Sequence, residues 1–175
     1  MKRENTGMEE ITLHSIEKAS EEAVKLWALS SSQYPLQNRL IQENANATII
    51  EVISSFALNA RRAMEVLPSN VKYPLNAARW KWEPTKKGEK VAGLWDALNR
   101  IIHAQKLYVG FERLPDSLSV IDGGAIIVPY IQAETDRKEL AFIDPFALSH
   151  AYLYGVLPAL IELRGNQFQK KPSNA

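Results

Sequence analysis

His103 and Arg100 stand three positions apart in the segment Leu94-Trp95-Asp96-Ala97-Leu98-Asn99-Arg100-Ile101-Ile102-His103. A histidine can move a proton near neutral pH, and a guanidinium can hold the charge of a phosphate. Asn99 and His103 are four residues apart, so a helix sets them one turn above each other. A second segment, Ala57-Leu58-Asn59-Ala60-Arg61-Arg62-Ala63, repeats the order Ala-Leu-Asn ahead of arginine. At about 100° per residue, Asn59 falls on the flank of its apolar stripe, with Arg61 and Arg62 further out towards solvent. The functional expectation is a groove between two antiparallel helices, lined by Asn59, Arg62, Asn99 and His103. The plain structural alternative is a surface Asp96–Arg100 ion pair, asparagines that serve neighbouring turns, and a half-exposed histidine.

A different chemistry is written into residues 69–90, a loop-rich connector. Trp80 and Trp82 alternate there with Arg79 and Lys81, and Lys86 and Lys87 follow. Such a segment can stack on unpaired bases while its cations meet phosphates. Tryptophans that fold back to cap a core are the alternative. The surrounding span, 61–113, holds eleven Lys or Arg against five Asp or Glu, while the rest of the chain is net acidic and the total is only +1. The local surplus points to an anionic partner; the total advertises none. His150 and Tyr154, four apart in an apolar run, are expected to be satisfied polar residues of the core.

Several chemistries drop out. The chain has no cysteine, which removes thiolate nucleophiles, disulfides and cysteine-ligated zinc. His14, His103 and His150 are far apart and none has a second histidine at metal-ligand spacing on a helix, so no metal and no cofactor are expected. The only adjacent glycines, Gly123 and Gly124, read as a hairpin turn rather than a phosphate loop, and no nucleophile elbow appears. ATPase, dehydrogenase, zinc hydrolase and α/β-hydrolase activities are all unexpected.

The elements that must position these residues follow from periodicity. Apolar spacing predicts helices over 9–30, from a capping box at 48–51 to 67 with apolar spacing that also allows an earlier start, and from 91 to near 109 with Val91, Trp95, Leu98, Ile102, Gln105 and Val109 on one face. The end of that third helix is open, because Leu107, Val109 and Phe111 also alternate as a strand would. Residues 118–120 and 125–131 read as strands around an Asp122-Gly123 turn, with Pro129 marking an edge or a bulge, and 140–143 as a returning strand. Asp144-Pro145 then opens a last helix, kinked or split at Pro158 and stopped at Gly165. The fold class is therefore mainly α, a helical bundle with a small antiparallel β-meander before the last helix, α+β being the neighbouring class. One domain covers 1–165, and 166–175 form a polar tail. The uncharged run 145–161 falls short of the roughly 20 apolar residues a bilayer needs, so no membrane partner is expected and the protein is placed in the cytoplasm.

The Asn-Ala-Arg-Arg helix followed by Leu-Trp-Asp-Ala-Leu-Asn-Arg-Ile-Ile-His resembles the HEPN group of helical-bundle proteins over residues 45–110. That group includes many RNases and components of toxin–antitoxin and phage-defence systems. The resemblance implies RNA as partner and a homodimer groove, with His103 as acid/base and Arg100, Arg62 or Arg61 against phosphate charge. Its catalytic signature puts four to six residues between arginine and histidine on one helix, whereas Arg100 and His103 have two between them. A ribonuclease or degenerate ribonuclease is one expectation; a non-enzymatic subunit that holds a protein partner is the other.

Overall fold

The computed structural model describes residues 4–169, and the side chains of residues 10–166 within them. Two long helices, α1 (Glu4–Ser31) and α2 (Arg39–Met64), pair as an antiparallel hairpin. Small residues let them approach: Ala19 and Ala23 meet a stripe of Ile49, Ile53, Phe56, Ala57, Ala60 and Ala63, all essentially fully buried. The start of α2 lies a full nine residues ahead of the expected capping box. Asn38 is its cap, accepting from the Ile41 N–H at 3.0 Å, and Ala45 already belongs to the buried stripe. Thr48 and Glu51 are exposed residues inside the helix, because a cap needs non-helical backbone and α2 has none there.

After a connector (65–88) come β2 (Glu89–Lys90), α3 (Leu94–Ile102) and β3 (Lys106–Arg113). The ambiguous end of the third helix resolves at His103, its C-cap, and Leu107, Val109 and Phe111 belong to a strand. Residues 118–120, expected as a strand, are instead the last residue of a short 3-10 turn, Asp116–Leu118, and the irregular chain after it. Gly123 and Gly124 carry φ of 87° and 96°, the left-handed backbone that turns the chain into β4 (Ala125–Glu134).

The sheet is mixed, not a bare antiparallel meander. β4 is its centre, with β3 antiparallel on one side. On the other side β1 (Tyr34–Pro35) pairs with its start and β5 (Ala141–Ile143) with its end. β2 then adds parallel to β5. Pro129 therefore sits in a central strand, at the bulge where the register with β3 shifts between Gly110 and Glu112. On its other flank it falls between the stretches paired to β1 and β5, so its missing N–H costs no ladder bond. The bulge also reverses the facing of β4. Ile126 and Val128 join the main core before it, Ile131 and Ala133 after it. Helices cover that face, while Trp82 with Tyr130 and Phe142, and Trp80 beside Leu114, Ala125 and Ile127, cover the other.

Asp144 caps α4 (Pro145–Ala151) with Pro145 in the first turn, and the cap accepts from the Ala147 N–H at 3.0 Å. The expected break near Pro158 is a π-helical turn (Tyr152–Val156), where the Leu157 N–H reaches Tyr152 O, five residues back. The next helix, α5 (Leu157–Gln169), does not stop at Gly165. A side chain there would meet nothing within 4 Å, so the glycine costs only its intrinsic ~1 kcal/mol. The expected tail is thus helical to Gln169, and 170–175 lie outside the described residues. Pro145–Asn166 is the one helix among the described residues long and apolar enough to cross a membrane, by length and composition; Pro145–Ser149 within it are buried in the fold. The whole is mostly helix with a smaller mixed sheet, an α+β arrangement.

Candidate functional site

The face that α3 buries is rotated from the one its apolar spacing predicts. Leu94, Ala97, Leu98, Arg100 and Ile101 point inward, and Trp95 is 43% exposed. Arg100, expected on the outer surface, is only 6% exposed. Its guanidinium bonds to Glu89 of β2, to Asp96 Oδ1 at 3.4 Å and to Glu139 O at 3.2 Å. A buried charge must be paired to be tolerated, and these three acceptors satisfy it. The surface ion pair expected from Asp96–Arg100 is in truth part of a clasp that ties α3 to β2 and to the approach of β5. Each of the three guanidinium nitrogens thus has an acceptor within the fold.

The exposed flank of α3 carries Trp95, Asn99 and His103 at successive four-residue intervals, one above the next. Arg61 of α2 lies over the Trp95 ring, its Cζ 5.1 Å from the ring centroid. Two polar atoms here are buried without a hydrogen-bond partner: Arg61 Nε and Asn99 Oδ1. Such orphaned atoms are costly, about 1–3 kcal/mol each, and are commonly completed by water or a ligand. Arg61 rather than Arg62 contacts this seam; Arg62 is exposed. Asn59 spends its amide on Ser55 O at 2.9 Å, within its own helix. His103 is exposed at the helix end.

No family model, curated protein or solved structure matches the chain.

The connector's two tryptophans fold back. The Trp82 indole is 7% exposed, packed on Tyr130 and Phe142, and its N–H donates to Asp144 Oδ2 at 3.1 Å. Burial pushes the Asp144 carboxyl above its ordinary range, opposed by the bonds from Ala147 and Trp82. Trp80 donates to Ser30 O at 2.8 Å, at the end of α1. One face of each ring is covered by a cation: Arg79 lies 4.2 Å from the Trp80 centroid and Lys90 4.2 Å from that of Trp82. Between the rings opens a depression of about 500 Å³ lined by Ala78, Trp80, Lys81, Trp82, Glu83 and Lys90. Lys86 and Lys87 are exposed beyond it.

The groove residues and the connector, expected as two features, are two separate groups in the fold. Trp80 is anchored at the C-terminal end of α1, and Arg61 with Trp95 sits near the C-terminal end of α2. In an antiparallel hairpin these are opposite ends, roughly 30 Å apart along the helices. His150 and Tyr154 also differ from expectation. Tyr154 is 68% exposed and stacks on His150 at 4.7 Å, which in turn stacks towards Trp27 at 6.0 Å. Periodicity missed this because the π turn shifts the facing of the helix just where Tyr154 falls.

Proposed function

We propose that this protein is RNA-directed, binding through the basic span 61–113 and holding RNA rather than cutting it. One electrostatic observation carries the proposal. Of the eleven Lys and Arg in that span, only Arg100 and Arg113 lie within ion-pair distance of a carboxylate among the described residues. Outside the span four of the six cations with described side chains are paired, Lys18, Lys25, Arg39 and Lys138, leaving Arg137 and Arg164. Cations without carboxylate partners keep their charge for an anion.

Three of these cations, Arg61, Arg79 and Lys90, rest on indole rings. A stacked guanidinium keeps its N–H edge for phosphate while its plane is held in place. The depression beside Trp80 and Trp82 offers apolar walls to a splayed base, with Lys81 and Lys90 at hand. The resemblance to HEPN proteins of toxin and defence systems supports the same partner, with α1, α2, α4 and α5 as the helical bundle and the cytoplasm as location. Cleavage is disfavoured on chemical grounds: with Arg100 locked in its clasp, His103 has no free arginine on its own helix. A site that binds without turning over is the result.

The test is binding of a labelled mixed-sequence RNA across a salt series, for wild type and Arg61→Ala/Arg62→Ala. Each lost phosphate contact on a single strand lowers the slope of log K against log salt by about 0.7. The double variant is expected to flatten the slope by roughly 1.4. Absence of binding at low salt would overturn the proposal, and loss of intact RNA during the assay would overturn its non-cleaving part. A second function, a non-enzymatic subunit holding a protein partner, is favoured by Leu118 and Val120, 61% and 85% exposed on the turn before β4.

A further inference from the structure

The outer edge of β3 is open and is chemically complementary to itself. Leu114 N–H donates to Ala125 O at 2.9 Å, which sets the alternation along the strand: even-numbered residues of β3 turn their backbone groups to β4. The backbone groups of Leu107, Val109 and Phe111 therefore point away from it. Among the described residues none of them is engaged by a loop or side-chain hydrogen bond, and β3 pairs with no second strand. The extra residue of the bulge lies in β4, between Tyr130 and Ile127, so the free edge of β3 stays regular over its eight residues. Long regular edges are ready templates for another strand.

We infer that this edge pairs with the β3 of a second copy, antiparallel about a two-fold axis at Val109, making one continuous sheet across two chains. The residues themselves select this partner and register. Centring on Val109 puts Val109 opposite Val109 and Leu107 opposite Phe111, and these are the positions whose N–H and C=O groups are free. About six intermolecular hydrogen bonds result. Lys106 of each copy then faces Glu112 of the other, in pairs where side chains approach most closely. Neither Lys106 nor Glu112 has an ion-pair partner among the described residues of its own chain. Burial holds the Glu112 carboxyl above its ordinary range, so a cation brought opposite it relieves an existing penalty. Tyr108, 47% exposed, arrives beside the partner's Gly110 position, which is roofed by the Tyr130 ring.

Two like-charged residues at these positions would repel in the same register. The opposite charges of Lys106 and Glu112, symmetric about Val109, are what favour a second copy over an arbitrary strand. The inference does not rest on RNA binding. Of the cations in the basic span without an ion-pair partner the pairing uses only Lys106, and Arg61, Trp95 and the connector are not part of the paired strand.

Sedimentation velocity of the whole protein from about 1 to 100 μM tests it. Wild type is expected to shift from monomer to dimer over that range. Glu112→Lys and Val109→Pro, both checked for fold by circular dichroism, are expected to weaken the dimer at least ~10-fold. The proline removes an N–H that bonds nothing within the chain. Lys106→Glu/Glu112→Lys, which restores opposite charges, is expected to recover it. A monomer throughout would overturn the inference and leave the edge to a strand from another protein. A dimer indifferent to Val109→Pro would overturn it too, by locating the contact elsewhere.

Discussion

Arg100 shows how one side chain can look like chemistry in a sequence and be architecture in a fold. Its type and its distance from His103 fit a phosphate-binding role, but its surroundings commit it. The charge is buried while its partners Glu89 and Asp96 remain 46% and 42% exposed. That asymmetry makes a prediction. Arg100→Met removes the buried charge and leaves two carboxylates that can hydrate, so it should be mild. Glu89→Gln/Asp96→Asn strands the guanidinium inside the fold and should cost more, up to about 3 kcal/mol. Urea unfolding of both variants checks the order, and the reverse order would show that the clasp is not what holds Arg100. Arg100→Met should also bind RNA as wild type does, which a phosphate-contacting arginine would not allow.

At the scale of elements, the parts legible in the sequence were those written locally. The Asp144-Pro145 start of α4 needs only a cap and a pre-set φ, and both are side-chain properties of adjacent residues. Pro129 was legible as an edge or a bulge for the same reason, and pairing on both sides of β4 leaves the bulge. The rotation of α3 was not. Spacing placed Trp95 inside and Arg100 outside, yet Glu89, eleven residues away in the chain, supplies a partner that inverts the order, and Arg61 supplies a cover for Trp95. The candidate site suffered likewise: its residue types were readable, but which arginine faces α3 depends on how two helices pack. β1 and β2, two residues each, carry too little pattern for any period to show. The α4 cap also yields a pH prediction. Because the folded Asp144 carboxyl is raised above its unfolded value, the native state holds the extra proton, and stability is lost as pH rises through the window between the two. Asp144→Asn has no such titration. The difference in thermal midpoint between the two proteins should therefore move in favour of wild type as pH is lowered from neutral towards about 4. A constant difference would mean that the cap carboxyl is not desolvated in the fold.

The whole molecule is stitched by contacts between distant parts of the chain. β4 is flanked on one side by residues 34–35 and by residues 141–143. Trp80 reaches the end of α1, Trp82 the start of α4, and Tyr152 the Ile16 carbonyl at 3.2 Å. No segment owns a core of its own, since α1, α2, α3, the sheet and α4 all contribute to one cluster. The connector 65–88, though poor in regular structure, covers one face of the sheet with its two tryptophans. Unfolding it separately would expose Tyr130 and Phe142 and leave the Asp144 carboxylate without the Trp82 N–H. A single cooperative transition is therefore expected, with tryptophan fluorescence and far-ultraviolet circular dichroism tracing the same urea curve. Fluorescence changing ahead of the helical signal would show that the connector detaches first. The cation-bearing loop would then be a mobile arm over a stable frame, and its affinity for RNA would carry the cost of ordering it.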